Sequence, residues 1–305
     1  MTDQAEIIEI GPRKGLQYYP KYIDTEKKVS FVDMLFDTGF RRMEVVSFVH
    51  PKEMPQMRDS IKVLQKMKKR PGNIAQVLVP NEIGCRNAVA CRADALVVWV
   101  YITDELNYLS HHRNRSETFK EINSIIQIAE LSKIEVSGWI AGAFGYPGMK
   151  SLDFREAKGL ITKLLQLGCT EVCIGDEFCM ANPRSVRALL KTCFEEIDSS
   201  KILVHFHDNR GLGLANIIAA YEEGIRKFKT CISGTGRQMD LGSSNGKEII
   251  QTVFPTVATE DMIYVFEEMG IHTNIDFSKL IKCGLFAENI LEKKLHSLVI
   301  QNHLY

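Results

Sequence analysis

Short β-branched runs alternate with longer amphipathic stretches about eight times along this chain, and that alternation limits the fold more than any other feature. The runs are Ile7–Ile10, Met43–Phe48, Ile74–Val79, Ala95–Tyr101, Glu135–Ala141, Glu171–Gly175, Ile202–His207 and Lys229–Ser233. Ala95–Tyr101 is apolar throughout instead of alternating, as a strand must be when both of its faces are covered. Between the runs lie stretches of helical period such as Glu26–Asp37 and Ser116–Leu131, where Ile122, Ile125, Ile126 and Ala129 recur on one face. Ser116, followed by Glu117 and Glu121, gives a helix start with acid in the first turns. The expectation is an α/β protein built as a closed parallel barrel of eight strand–helix units.

The 305 residues are 45% hydrophobic with no Pro/Gly/Ser-rich linker, enough for one domain with a full core. One barrel domain over residues 1–305 is expected, with a C-terminal helical extension from about 270 to 305. Basic and acidic side chains balance at 38 each and no long Lys/Arg tract occurs, which argues against a nucleic-acid partner. The one dense cluster, Lys66 to Arg70, reads as a solvated helix end. A polar N-terminus and the lack of a long apolar run predict no membrane span and a cytoplasmic protein. The cysteines show no Cys-x-x-Cys pair and are expected to be small buried hydrophobes. Scattered apolar residues in Leu295–Tyr305 suggest packing on a partner subunit.

The chemistry gathers where the strands end. Arg13 and Lys14 lie side by side in Gly11-Pro12-Arg13-Lys14-Gly15-Leu16-Gln17, directly after the first run, where a barrel of this kind has its active-site mouth. Two adjacent cations there suit an anionic or carbonyl-bearing substrate. Glu44 sits in an otherwise apolar strand and needs a cationic partner if buried. Asp176 closes the sixth strand, where an Asp is as readily a helix-capping residue as a functional one. His205 and His207 are two apart, so both can point into the barrel, either as a fragment of a divalent-metal site or as hydrogen-bonded interior side chains. The glycine-rich stretch Gly234–Gly246 follows the last strand at the same mouth. Tyr18, Tyr19, Tyr22 and Tyr146 fit a pocket wall or plain packing equally well.

The blocks Gly-Pro-Arg-x-Gly-Leu-Gln at 11–17, Glu44 to Lys52 with Pro55-Gln56-Met57, Val204 to Asp208 and Ala258 to Asp261 resemble those of 3-hydroxy-3-methylglutaryl-CoA lyase and its wider family of metal-dependent lyases and Claisen-condensing barrels. The resemblance runs in order from about residue 6 to residue 285. It implies a TIM barrel, an acyl-CoA or carboxylate substrate, and carbon–carbon bond cleavage in which a metal (magnesium or manganese) steadies an enolate. It also implies that Arg13 is the cation at the substrate carbonyl, that Glu260 orients it, and that His205 and His207 are metal ligands. Gln17, Glu44 and Asp176 fall on matching positions, and a homodimer is expected by analogy.

The departures from that pattern carry as much weight. Where the family has a metal-binding aspartate after the arginine, this chain has Lys14, which removes an anionic ligand and adds a like charge. The loop of the reactive cysteine reads Gly234-Thr235-Gly236-Arg237-Gln238-Met239, with Gln238 in the cysteine's place, and Thr256 stands for an asparagine ligand. Additional residues occur at Ser243–Phe254. Arg237 and Gln238 join Gln17 as candidate substrate-binding residues.

Three readings follow. In one, Lys14 and Arg13 together stabilise the enolate, no metal is required, and His205 or His207 is the general base. In another, Lys14 is a Schiff-base nucleophile of an aldolase or decarboxylase. In the third, a silent relative keeps only a binding pocket, with Lys14 paired to Glu44 or Asp176.

Overall fold

The computed structural model describes residues 3–149, 153–236 and 255–303 in full, and residues 242–244 and 247–250 by their backbone. Eight parallel strands close on one another in chain order. They are β1 (Glu6–Glu9), β2 (Arg42–Ser47), β3 (Ile74–Leu78), β4 (Ala95–Tyr101), β5 (Glu135–Ala141), β6 (Glu171–Asp176), β7 (Ile202–Phe206) and β8 (Lys227–Thr230). β8 returns to β1 with Glu6 opposite Lys227 and Glu9 opposite Thr230, so the barrel has no open edge. This is the (β/α)8 TIM barrel that the alternation predicts. β9 (Gly242–Ser244) and β10 (Lys247–Ile250) form a separate antiparallel pair.

β4 and β5 have the expected bounds, and most of the others shift by one residue. The last strand is the exception, since it begins at Lys227 and ends at Thr230 instead of spanning Lys229–Ser233. Its Lys-Phe-Lys opening does not look like a buried strand, and only barrel closure supplies partners for those lysines.

The helices α1 (Thr25–Phe36), α2 (Ser60–Lys66), α3 (Glu82–Ala90), α4 (Asp104–His111), α5 (Arg115–Leu131), α6 (Phe154–Leu167), α7 (Pro183–Phe194) and α8 (Gly213–Glu222) lie between strands in the sequence. α9 (Thr259–Glu268), α10 (Phe277–Ile290) and α11 (Leu298–Gln301) follow β8. α5 shows how local sequence sets an element. Asn114, not Ser116, caps it: the Asn114 side chain accepts from the Glu117 N–H at 2.9 Å and Glu117 accepts from the Asn114 N–H at 2.9 Å. Ile122, Ile125, Ile126 and Ala129 are buried, and each isoleucine contributes roughly 1.5–3 kcal/mol of burial.

Strand parity decides what fills the barrel. A Cβ on Gly138 would meet Leu164 Cδ1 of α6 at 2.9 Å, so this position faces the helix layer. Its neighbours Ser137, Trp139 and Ala141 therefore face the interior. At the N-terminal end of the barrel, Arg42 joins Glu6 (2.8 Å) and Glu171 (2.5 Å), and Lys227 joins Glu171 (2.8 Å). That network serves stability, and the candidate functional residues gather at the opposite end.

The Lys66–Arg70 cluster follows the end of α2, with Lys66 paired to Glu26 and Arg70 to Asp37 (2.7 Å). Every cysteine is free and all but Cys91 are buried. Among the described residues, no helix is long and apolar enough to cross a membrane.

Candidate active site

β1 stops at Glu9, and Gly11–Gly15 coils into a π-helical turn. Arg13 and Lys14 thus sit on a turn beyond the strand and do not close the strand itself. Pro12 fits the start of this turn because it has no N–H to leave unpaired. Glu9 fixes the turn from beneath: its carboxylate accepts from the N–H of Gly11 (2.6 Å) and of Ile232 (2.8 Å) and from the Thr259 hydroxyl (2.6 Å). Burial pushes the Glu9 carboxyl up to about 7 against these bonds. The turn after β1 and the turn after β8 are joined through this one side chain.

Glu44, fully buried in β2, has the cationic partner its position demands, and in fact two. Arg13 donates to Oε2 from Nε at 2.9 Å and also from its terminal guanidinium nitrogen, and Lys229 of β8 donates to Oε1 at 2.6 Å. Burial opposes ionisation of Glu44, but the Arg13 and Lys229 charges outweigh it and bring its carboxyl down to about 2. The resemblance implied Glu260 as the partner that orients Arg13; the carboxylate bonded to Arg13 is that of Glu44. Glu260 instead accepts from the Ser233 N–H and the Ser233 hydroxyl, both at 2.7 Å, and burial raises its carboxyl to about 8.

Trp139 stands at the centre of the cluster. The Lys229 ammonium lies 4.7 Å, the Lys14 ammonium 5.0 Å and the Arg13 guanidinium carbon 5.8 Å from its ring. The indole N–H donates to Glu177 Oε1 at 2.7 Å, and the Gly142 N–H donates to Oε2 of the same carboxylate at 2.6 Å. Gly175 makes room for this arrangement, since a Cβ there would meet Trp139 Nε1 at 2.5 Å. Lys14 is 5% exposed, and its ion-pair partner is Glu177 at 4.0 Å, neither Glu44 nor Asp176. Burial lowers the Lys14 pKa, with Arg13 acting in the same sense and Glu177 against it. Three basic side chains thus surround two carboxylates, a balance that favours an anionic ligand.

His205 and His207 do share a side: their rings meet edge to face at 5.1 Å, and His205 packs edge-on against Trp139 at 5.0 Å. His205 Nδ1 lies 2.8 Å from the Lys229 carbonyl. A carbonyl only accepts, so Nδ1 carries the proton and Nε2 keeps its lone pair. Burial holds the His205 pKa well below the ordinary imidazole value, with Lys14 and His207 adding to the effect.

This is how a metal-binding histidine is oriented. The rest of the donor set does not match a divalent ion such as magnesium or manganese, which takes mostly oxygen ligands including carboxylates. Among the described residues no group of three or more His, Cys, Asp and Glu converges into a metal site. The ammonium of Lys14 acts on His205 as a repelling charge.

Asp176 accepts from the N–H groups of Met180 (2.8 Å) and Ala181 (3.0 Å), which makes it a cap of the turn leading to α7. The helix cap proper is Asn182, bonded to the Ser185 N–H at 3.0 Å. Burial raises the Asp176 carboxyl to about 7. Gln17 is buried and its Oε1 has no hydrogen-bond partner among the described residues. Arg237 and Gln238 lie outside the described residues. Tyr19 is bonded to the Leu291 carbonyl and Tyr22 to Asp59, so of the first-loop tyrosines only Tyr18 lines the cavity.

That cavity, about 220 Å³, lies at the mouth of the barrel. Arg13, Lys14, Gln17 and Glu177 line it together with Trp99 and Trp139. His205, His207, Glu44, Asp176 and Glu260 are not part of its lining. Sequence reasoning missed Glu177, Trp139 and Lys229. A parity argument over β5 would have found Trp139, whereas Lys229 had no local signal.

Fold and site together define a TIM barrel whose mouth carries a buried lysine–arginine pair at its cavity. The chain belongs to the HMGL-like family, whose model matches residues 4–286. It is 31% identical to hydroxymethylglutaryl-CoA lyase YngG of Bacillus subtilis (strain 168) over 98% of this chain and 97% of that protein. A crystal structure of a Bacillus subtilis HMG-CoA lyase superimposes with a TM-score of 0.92 at 30% identity, covering 99% of both chains. An HMG-CoA lyase from Acinetobacter baumannii in complex with coenzyme A and 3-methylmalate gives 0.91 at 30% identity, covering 99% of this chain and 95% of that one.

Proposed function

We propose that the protein is a carbon–carbon lyase of aldolase type acting on an acyl-CoA or carboxylate substrate with a keto or hydroxy group. In this reading Arg13 and Lys14 bind its carbonyl and carboxylate oxygens. When the carbon–carbon bond breaks, its electron pair moves into an enolate whose oxygen is stabilised by the two cations. The single observation that carries the reading is the Lys14 ammonium, buried, lining the cavity and next to Arg13. No resident metal is required, because the positive charge an ion would supply is already covalently present.

Glu177 is better placed than either histidine as the proton acceptor, since it lines the cavity beside Lys14. It would take the substrate hydroxyl proton as the bond breaks and return a proton to the enolate carbon. His205 then acts as a neutral support for the Lys229 backbone. Support for the acyl-CoA class comes from the HMG-CoA lyases that the chain resembles. A homodimer in the cytoplasm is proposed on analogy alone.

The lowered Lys14 pKa favours a second reading, in which the neutral amine forms a Schiff base with a ketone. Incubation with 3-hydroxy-3-methylglutaryl-CoA and with a set of keto acids, followed by product analysis and by borohydride and intact mass, separates the two. Cleavage without a trapped adduct, abolished in Lys14→Met, supports the enolate route, and a reduced adduct on Lys14 supports the imine. Cleavage unaffected by Lys14→Met contradicts both.

A further inference from the structure

The chain has two tryptophans, Trp99 and Trp139, and both line the same cavity. Trp139 is engaged by the cations of the floor. Trp99, the register partner of Trp139 on the neighbouring strand β4, packs instead against the His111 ring, with centroids 4.5 Å apart and planes tilted by 39°. Tyr101 meets the same imidazole edge-on at 6.2 Å. His111 Nε2 is buried and has no hydrogen-bond partner among the described residues. Burial, with Arg113 and His112 adding to it, brings the His111 pKa down to about 3, so this imidazole is neutral.

The wall that these rings form is held in place before any ligand arrives. Asn107 accepts from the Tyr101 N–H at 3.2 Å and donates to the Arg113 carbonyl at 2.9 Å and to the Thr118 hydroxyl at 2.8 Å. That one side chain ties the end of β4 to the segment after α4. His112, at φ 54°, closes α4 in the left-handed conformation with its N–H on the Tyr108 carbonyl at 2.8 Å.

We propose that the Trp99–Tyr101–His111 wall is a recognition subsite for a flat unsaturated ring, so that the substrate of this barrel is an aromatic keto acid or acyl group in place of a short aliphatic one. The inference rests on the lyase reading for the carboxylate end, which Arg13 and Lys14 take. A methyl group in this subsite gains only burial. A ring gains offset or edge contacts with the Trp99, Tyr101 and His111 rings that line the cavity. Those contacts convert to roughly a tenfold or larger preference in affinity.

The test is calorimetric titration of the full chain with pyruvate, phenylpyruvate and 4-hydroxyphenylpyruvate, repeated on Trp99→Leu, His111→Ala and Lys14→Met. The expected result is phenylpyruvate and 4-hydroxyphenylpyruvate each binding at least tenfold more tightly than pyruvate. Trp99→Leu should collapse both ratios, and His111→Ala, which removes the ring packed on Trp99, should reduce them. Equal affinity for pyruvate and phenylpyruvate in the native protein, or no binding of any probe, overturns the proposal even if a variant fails to fold. Lys14→Met should weaken all three probes in parallel. If it weakens none while the ring preference stands, the lyase reading fails and the subsite survives.

Discussion

Lys229 Nζ lies 2.6 Å from Glu44 Oε1, and neither side chain reaches solvent. The pair crosses the barrel interior from β8 to β2 and, through Glu44, reaches Arg13 on the turn after β1. Removing one member leaves a buried charge uncompensated, which costs far more than the pair contributes as a whole.

Glu44→Gln should therefore destabilise the fold by about 3–5 kcal/mol, read as a lower urea midpoint at unchanged slope. Lys229→Met should restore part of this in the double variant, with a coupling of about 1–3 kcal/mol. Strictly additive effects would show that the two charges do not depend on each other.

Glu260 has its carboxyl raised to about 8 by burial, so between its ordinary value of 4.5 and 8 the folded protein holds a proton that the unfolded chain has released. Stability must fall as pH rises through that window. Glu260→Gln removes the ionisation while keeping both bonds, because the amide oxygen accepts from the Ser233 N–H and the amide NH₂ donates to the Ser233 hydroxyl. Relative to the native protein, the variant should gain stability steadily from pH 5 to pH 8. Parallel melting curves across that range would contradict this placement of the proton.

Trp139→Phe keeps a smaller ring near the cations and removes the N–H that donates to Glu177 at 2.7 Å together with part of the buried indole. The expected cost is about 1.5–3 kcal/mol, typical of a buried hydrogen bond to a charged group. If Glu177 transfers the proton, kcat should fall at least tenfold while KM changes little. A change in KM alone would make Trp139 a binding residue only.

The barrel was legible because buried parallel strands announce themselves as apolar runs, β4 most clearly. Arg13, Lys14, Glu44 and the two histidines were legible because charged or polar residues at strand ends are rarely needed for packing. Lys229 and Glu177 were not. Lys229 sits in a short strand that looks solvent-exposed until the pairing of β8 with β1 encloses it. Glu177 was overshadowed by Asp176, its neighbour, whose carboxylate caps a turn. The cap of α5 shows the same limit on a smaller scale, because Asn114 and Ser116 are both competent capping residues and only the hydrogen bonds decide.

The reading in which the Lys14 ammonium supplies the charge that a metal ion would supply is tested most directly by counting bound Mn²⁺ by electron paramagnetic resonance, in the native protein and in Lys14→Asp. The native protein should leave Mn²⁺ free at concentrations where Lys14→Asp, with a carboxylate in place of the ammonium that acts on His205, binds it near one per chain. Stoichiometric Mn²⁺ on the native protein, lost when His205 is changed to alanine, would contradict the cation-substitute account.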